Sequence, residues 1–398
     1  MLLAVACAKR SPAEAGGFAA TSAVDPAATS RVDTLVRPAS APSAPTPVLA
    51  PALAIEPAKG TPGVWEDVTP AGAKLGEFGV GNVVVDPARA NELYVGGYGE
   101  IWKSSDYGLT WRKLPSSPNP PELPLGHVLA VAGTTPATIW VANVRGPKFV
   151  FRSTDGGLHF VLTGALPEKP DSDSLYSIEV DPADPRHLIS GVHEADGIVE
   201  STDSGDTWHF VNGPGWPPGG VSWFVYFIKT GNPETTRKTW FAIAQGGGSG
   251  LITHDAGRSW QVARGLAKLQ HPHGGSSLFQ HDKSLFVAGL YGEAGSGVFR
   301  STDLGQSWTR VFQGNSAVTW GSAKKIYAAW GWACAHCAFG KDDPGFMQAD
   351  YPGDRFTKLD VPAGLNWGPN SVASTSDGTR SIHIGSMWAT GLWRYVEP

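Results

Sequence analysis

Ser104-Ser105-Asp106-Tyr107-Gly108-Leu109-Thr110-Trp111 is the stretch that decides the fold, because the chain repeats it. The phrase Ser/Thr-x-Asp-x-Gly-x-x-aromatic returns at Ser153 to Phe160, Ser201 to Trp208, Thr253 to Trp260 and Ser301 to Trp308, with its aspartates at Asp106, Asp155, Asp203, Asp255 and Asp303. From one Asp to the next the steps are 49, 48, 52 and 48 residues. Periods of this length mark the blades of a propeller or a similar array. In each copy the carboxylate accepts hydrogen bonds from backbone N–H groups further along, Gly supplies the positive φ of a tight turn, and the aromatic returns as a strand residue. Each copy therefore reads as a hairpin tip. Apolar strands such as Gly197-Ile198-Val199 and Gly297-Val298-Phe299 lead into it, and strands such as Trp111-Arg112-Lys113-Leu114 and Trp308-Thr309-Arg310-Val311 lead out.

The phrase resembles the Asp-box, or BNR, repeat, and the resemblance covers residues 64 to 398, which implies a β-propeller. One step past the fifth copy, Gly353 and Phe356 fall in place while Tyr351 stands where Asp is expected, so a sixth blade with an altered turn is expected. A further step reaches Gly391-Leu392-Trp393-Arg394-Tyr395, a third strand with no fourth after it. Val64-Trp65-Glu66-Asp67-Val68 resembles the strand that follows each turn and is expected to close the ring as the outer strand of blade seven, since closure removes exposed edges. The expected fold is all-β: a single seven-bladed β-propeller with four-stranded blades, closed by an N-terminal strand. Val83 to Asp86 and Ile178 to Asp181 read as inner strands ending in Asp-Pro turns, followed by second strands at Leu93 to Gly96 and Leu188 to Gly191. No stretch carries a helical period.

The chain has 398 residues, yet the repeats leave room for no second domain. Residues 8–63 are dominated by Ala, Pro, Ser and Thr and read as an extended linker. Ahead of them, Met1 to Cys7 resembles the end of a bacterial lipoprotein signal, which implies lipidation of Cys7, an extracytoplasmic place in the cell envelope, and a membrane anchor for which the linker provides reach. Cys334 and Cys337 then remain as an even pair suited to an oxidising compartment. They read as a short disulfide stiffening a long loop; the alternative is half of a zinc site completed by His271 or His273. No metal or other cofactor is expected. The net charge of −5 and the lack of a basic stripe argue against nucleic acid as a partner.

Sheet connectivity puts the Asp turns on one face, and the loops between strands two and three on the other with the connections between blades. The second face is rich in side chains suited to a sugar. Its candidate ligand-binding residues are Tyr98, Arg145, His193, Trp216, Trp223, His271, His273, Tyr291, Trp330, Trp332, Trp367 and Trp388, with Asn370 among the connections. Flat apolar sugar faces stack on indoles, and hydroxyls need paired donors and acceptors. The alternative for any one Trp is packing between blades. Glu100, Glu194 and Glu293 follow the second strands of alternate blades and are the candidate acid and base of a glycoside hydrolysis, with a solvated loop Glu the alternative for each. The Asp-turn aspartates read as structural.

Asp-box propellers include sialidases, xyloglucan-cleaving enzymes, sortilin-type receptors and a photosystem assembly factor, so membership does not choose a function. Sialidases use six blades, a Phe/Tyr-Arg-Ile-Pro motif and an arginine triad, which this chain lacks. The xyloglucan enzymes hold substrate between two seven-bladed propellers, and one is legible here. Two readings follow: a surface-tethered propeller that binds or hydrolyses a glycan, or a non-catalytic scaffold that docks a protein partner.

Overall fold

A computed structural model describes residues 57–73, 81–97, 99–115, 128–142, 149–166, 174–175, 177–193, 197–217, 222–245, 250–266, 278–289, 297–314, 316–329, 345–365, 368–388 and 390–398. Seven antiparallel sheets follow one another along the chain. The closing segment is β1 (Trp65–Asp67). Blade one is β2 (Val83–Asp86), β3 (Arg89–Gly97), β4 (Glu100–Ser104) and β5 (Arg112–Lys113). Blade two is β6 (Val128–Ala132), β7 (Thr138–Ala142), β8 (Phe149–Ser153) and β9 (Val161–Ala165). In blade three the inner strand is interrupted into β10 (Ser174–Leu175) and β11 (Glu179–Asp181), both paired with β12 (Asp184–His193), followed by β13 (Ile198–Ser201) and β14 (His209–Phe210). Blade four is β15 (Ser222–Phe227), β16 (Trp240–Gln245), β17 (Gly250–Thr253) and β18 (Gln261–Val262). Blade five is β19 (Leu278–His281), β20 (Ser284–Gly289), β21 (Gly297–Ser301) and β22 (Thr309–Phe312). Blade six is β23 (Val318–Gly321), β24 (Lys325–Ala329), β25 (Phe346–Asp350) and β26 (Thr357–Lys358). Blade seven is β27 (Pro369–Ser376), β28 (Ser381–Met387) and β29 (Gly391–Val396), completed by β1 in the order β1-β29-β28-β27. A four-residue helix, α1 (Pro233–Thr236), capped by the Asn232 side chain, interrupts the turn between β15 and β16.

The seam closes as the repeat count requires. Trp65, Glu66 and Asp67 pair with Tyr395, Arg394 and Trp393. Residues 57–63, read from composition as linker, lie partly on this seam. The Ala58 amide donates to Asp377 at 2.9 Å, and Gly63 donates to the Val396 carbonyl at 2.8 Å. Composition missed this because the segment is held by backbone groups, which every residue type carries.

The core is divided among the blade interfaces. Among the described residues it forms seven apolar clusters, one for each pair of neighbouring blades. Alternate residues of a strand face opposite sides of the sheet, so every blade feeds two of them. Among the described residues, eight tryptophans are buried in these interfaces, Trp140 and Trp240 completely, so much of the Trp content is core.

All five Asp turns share one bonding scheme. The Ser or Thr hydroxyl donates to the Asp at 2.7–2.8 Å and accepts the Gly amide at 2.8–3.0 Å, and the amide four residues past the Asp donates to the same carboxylate at 2.8–3.0 Å. The residue before the Gly also has positive φ, in four cases on a non-glycine: Tyr107, Ser204, Ala256 and Leu304. The aromatic precedes the outer strand instead of joining it, and in three turns its indole N–H donates to the turn Gly carbonyl. In the altered sixth turn, Gly353 bonds the Asp350 carbonyl at 2.7 Å and Tyr351 reaches across to Ser284 of blade five at 2.9 Å.

Candidate functional site

The strands that flank the loops joining strands two and three all end at one face, which the Asp turns do not share. The candidates Tyr98, Arg145, Glu194, His271, His273, Tyr291, Glu293, Trp330, Trp332 and Trp367 lie outside the described residues, as do Cys7, Cys334 and Cys337. Three candidates are placed differently from the sequence reading. Glu100 is the first residue of β4, paired with Gly97, and is buried; its carboxylate is bonded by Lys113 of the outer strand and by the Trp102 indole at 3.3 Å. The neighbouring outer strand brings the lysine to it, and the loop does not release it. Trp223, read with the connections between blades, stands in β15, paired with Ala244. Asn370 belongs to β27 and not to a connection. Trp216 packs edge-on against Trp260 at 5.1 Å, half-buried between blades three and four. His193 closes β12 opposite Ser174, and Trp388 is half-buried with its amide bonded to the Gly368 carbonyl at 3.0 Å.

Sequence reading passed over Glu179. It sits on the innermost strand of blade three, paired with Ile189, and so shares the face that packs against Val225 and Trp240 of blade four. Burial pushes its carboxyl up to about 7, only partly offset by Lys229. Such a carboxyl holds its proton near neutral pH, the property a general acid requires. The available signal was an acid inside the apolar run Ile178-Glu179-Val180. A carboxyl near 7 in place of 4.5 costs the fold about 3 kcal/mol above neutrality. The folded value is raised, so this cost is absent below about pH 4.5, grows as pH climbs to about 7 and is constant above. Glu179→Gln is therefore expected to raise the urea midpoint at pH 8 and leave it nearly unchanged at pH 4. An equal shift at both pH values would remove the charge as the cause.

Two further titratable clusters lie between blades. In the first, His187 is bonded at both ring nitrogens, to Asp181 at 2.9 Å and Glu200 at 2.8 Å, while Arg237 of blade four reaches Asp181 at 3.2 Å. Burial lowers the affinity of His187 for its proton, but the two carboxylates outweigh burial and raise it. With both nitrogens engaged, this imidazole is a clasp. In the second, His383 lies between Ser374 at 2.8 Å and Glu397 at 2.9 Å. Among the described residues, no group of three or more His, Cys, Asp or Glu is arranged to hold a metal ion, and no helix is long and apolar enough to cross a membrane. A groove of about 410 Å³ lined by Ile252, His254, Gln261, Val262, Arg264 and Gln306 opens beside the outer strand of blade four and includes none of the candidates.

Sheet order and clusters together define a closed seven-bladed β-propeller with ionisable side chains locked between its blades. No family model matches the chain. It is similar to a xyloglucanase of a Paenibacillus species, 28% identical over 265 residues, which is 61% of this chain and 21% of that protein. A xyloglucanase of Hypocrea jecorina is 28% identical over 284 residues, 59% of this chain and 33% of that protein. The chain thus spans a fifth to a third of the length of these curated relatives. Among solved structures, the GH74 xyloglucanase of Xanthomonas campestris superposes with TM-score 0.60 at 18% identity, over 83% of this chain and 53% of that one. YCF48 bound to D1 peptide superposes with TM-score 0.56 at 14% identity, over 86% of this chain and 99% of that one. At these identities the superpositions speak for the fold.

Proposed function

We propose that this chain is an extracytoplasmic Asp-box propeller, tethered through Cys7, that binds a glycan on the face from which the loops between strands two and three emerge. The observation that carries this reading is the sequence likeness to xyloglucanases across 265 residues of the propeller. Fold alone would not select a function. The aromatic and amide side chains on those loops fit the faces and hydroxyls of a sugar chain. If the bound glycan is cleaved, Glu194 and Glu293 are the candidate carboxylates, and Glu179, packed between blades three and four, is a further carboxyl that holds its proton near neutral pH. Glu100, held by Lys113, is assigned to the blade.

The experiment is a glycan array of plant and bacterial polysaccharides, xyloglucan among them, joined to a reducing-sugar assay. Retention with or without released product supports the reading, and a saturating ligand is expected to stabilise the fold by about 3 kcal/mol at a hundredfold excess over Kd. A second reading is favoured by the likeness to YCF48 bound to D1 peptide, whose length this chain covers almost completely. In that reading the same face docks an extended peptide. Absence of any glycan retention, with a peptide captured at that face, would reject the first reading in favour of the second.

A further inference from the structure

The geometry points to Ser374 as an activated nucleophile, a serine whose hydroxyl is held by His383 and Glu397 so that it can attack a small acyl ester entering the channel. Ser374 and His383 are direct cross-strand partners of β27 and β28, so their side chains share a face. The Ser374 oxygen lies 2.8 Å from His383 Nδ1, and His383 Nε2 lies 2.9 Å from Glu397 Oε1. The Glu397 carboxylate also accepts from Tyr327 at 3.1 Å and from Ser322 at 3.0 Å. Burial pushes this carboxyl up, but the bonds from His383, Ser322 and Tyr327 outweigh burial and hold it below the usual range, so it is ionised and can only accept. His383 Nε2 must therefore carry the proton. In the neutral ring Nδ1 is then a lone pair, and the Ser374 O–H donates to it. This is the order nucleophile, base, orienting carboxylate that serine-dependent acyl transfer requires.

Position separates this cluster from the clasp at His187. The His383 ring and Glu397 are buried, whereas Ser374 is only half-buried and stands on the innermost strand, whose free edge borders the channel. In the reaction, Ser374 Oγ bonds to the acyl carbon while its proton passes to His383 Nδ1. His383 then protonates the departing alkoxide. Water attacks the acyl-serine, its proton moves through His383 back to Ser374 Oγ, and a carboxylic acid leaves.

The test treats the full chain with a fluorophosphonate probe, maps the adduct by peptide mass spectrometry, and follows p-nitrophenyl acetate hydrolysis in wild type and Ser374→Ala. One adduct at Ser374, and hydrolysis reduced about 100-fold in the variant, are expected. No adduct at Ser374 under conditions that label trypsin, or hydrolysis untouched by Ser374→Ala, would overturn the assignment. The adduct is read on the wild-type protein, so the outcome stands even if the variant fails to fold.

Discussion

Arg394→Met is expected to lower the unfolding free energy by about 3 kcal/mol and to make the closing seam the first part of the ring to open. Arg394 is completely buried, and its guanidinium joins three pieces of chain that are distant in sequence. Nε donates to the Tyr107 carbonyl in the blade-one turn at 2.8 Å, Nη1 to Glu66 of β1 at 3.1 Å, and Nη2 to the Lys59 carbonyl at 2.7 Å. Burial pulls the guanidinium pKa down while Glu66 opposes it. Methionine matches the length of the stem but supplies no donor, so two carbonyls and a carboxylate lose their partner. Glu66 keeps some contact with water, which places the cost at the lower end of the range for breaking a buried pair. Arg394→Lys is expected to recover only part of the loss, because one ammonium cannot reach three acceptors in a fixed fork. Equilibrium urea unfolding gives the size of the effect, and hydrogen exchange at the amides of residues 63 to 68 gives its location. A change under about 1 kcal/mol would mean that the seam is held by its β-pairing and apolar contacts, without need of the rivet.

Acid is expected to unfold the propeller through its five repeated turns. Burial pushes each turn carboxyl up, but the hydrogen bonds from the Ser or Thr two residues before and from the residue four places after outweigh burial, and all five are held below the usual range. For Asp155 the value is about 2. A depressed folded value contributes stability that is complete above the ordinary Asp pKa and lost as pH falls through the folded one, here between about pH 4 and pH 2. These turns face solvent, so screening discounts each contribution, and Asp155 contributes on the order of 1 kcal/mol. Denaturant midpoints measured from pH 6 to pH 2 are expected to fall steeply in this window. Asp203→Asn should destabilise the fold at pH 6 and do so much less at pH 2, where the wild-type carboxyl is increasingly protonated. An undiminished penalty at pH 2 would show that the side-chain shape, and not its charge, holds the turn.

The two experiments probe different features of one design. Each turn is local, made from eight consecutive residues, and so it announces itself in the sequence. The rivet at Arg394 is assembled from Lys59, Glu66, Tyr107 and Arg394, and no spacing rule connects those positions. Blade count, strand order and the role of Trp65 to Asp67 in closing the ring followed from repetition, because an array with a missing outer strand must find one elsewhere. Glu100 illustrates the opposite case. Its position after a second-strand Gly marked it as a loop acid, whereas the carboxylate is answered by Lys113, thirteen residues on, which only the pairing of β4 with β5 brings beside it. The burial of Glu179 was not legible for a related reason. A strand residue carries no label saying how much protein will surround it, and here the neighbouring blade provides the burial.

Periodicity in one dimension determined the all-β class, the number of blades and the position of the five structural aspartates, since these depend on residues that are close along the chain. The tertiary structure decided which of the tryptophans became core, which acid is desolvated, and how Arg394 meets Lys59, Glu66 and Tyr107. Those properties arise where one blade is laid against the next, across separations of tens to hundreds of residues, and only the closed ring sets the distances on which hydrogen bonding and desolvation depend.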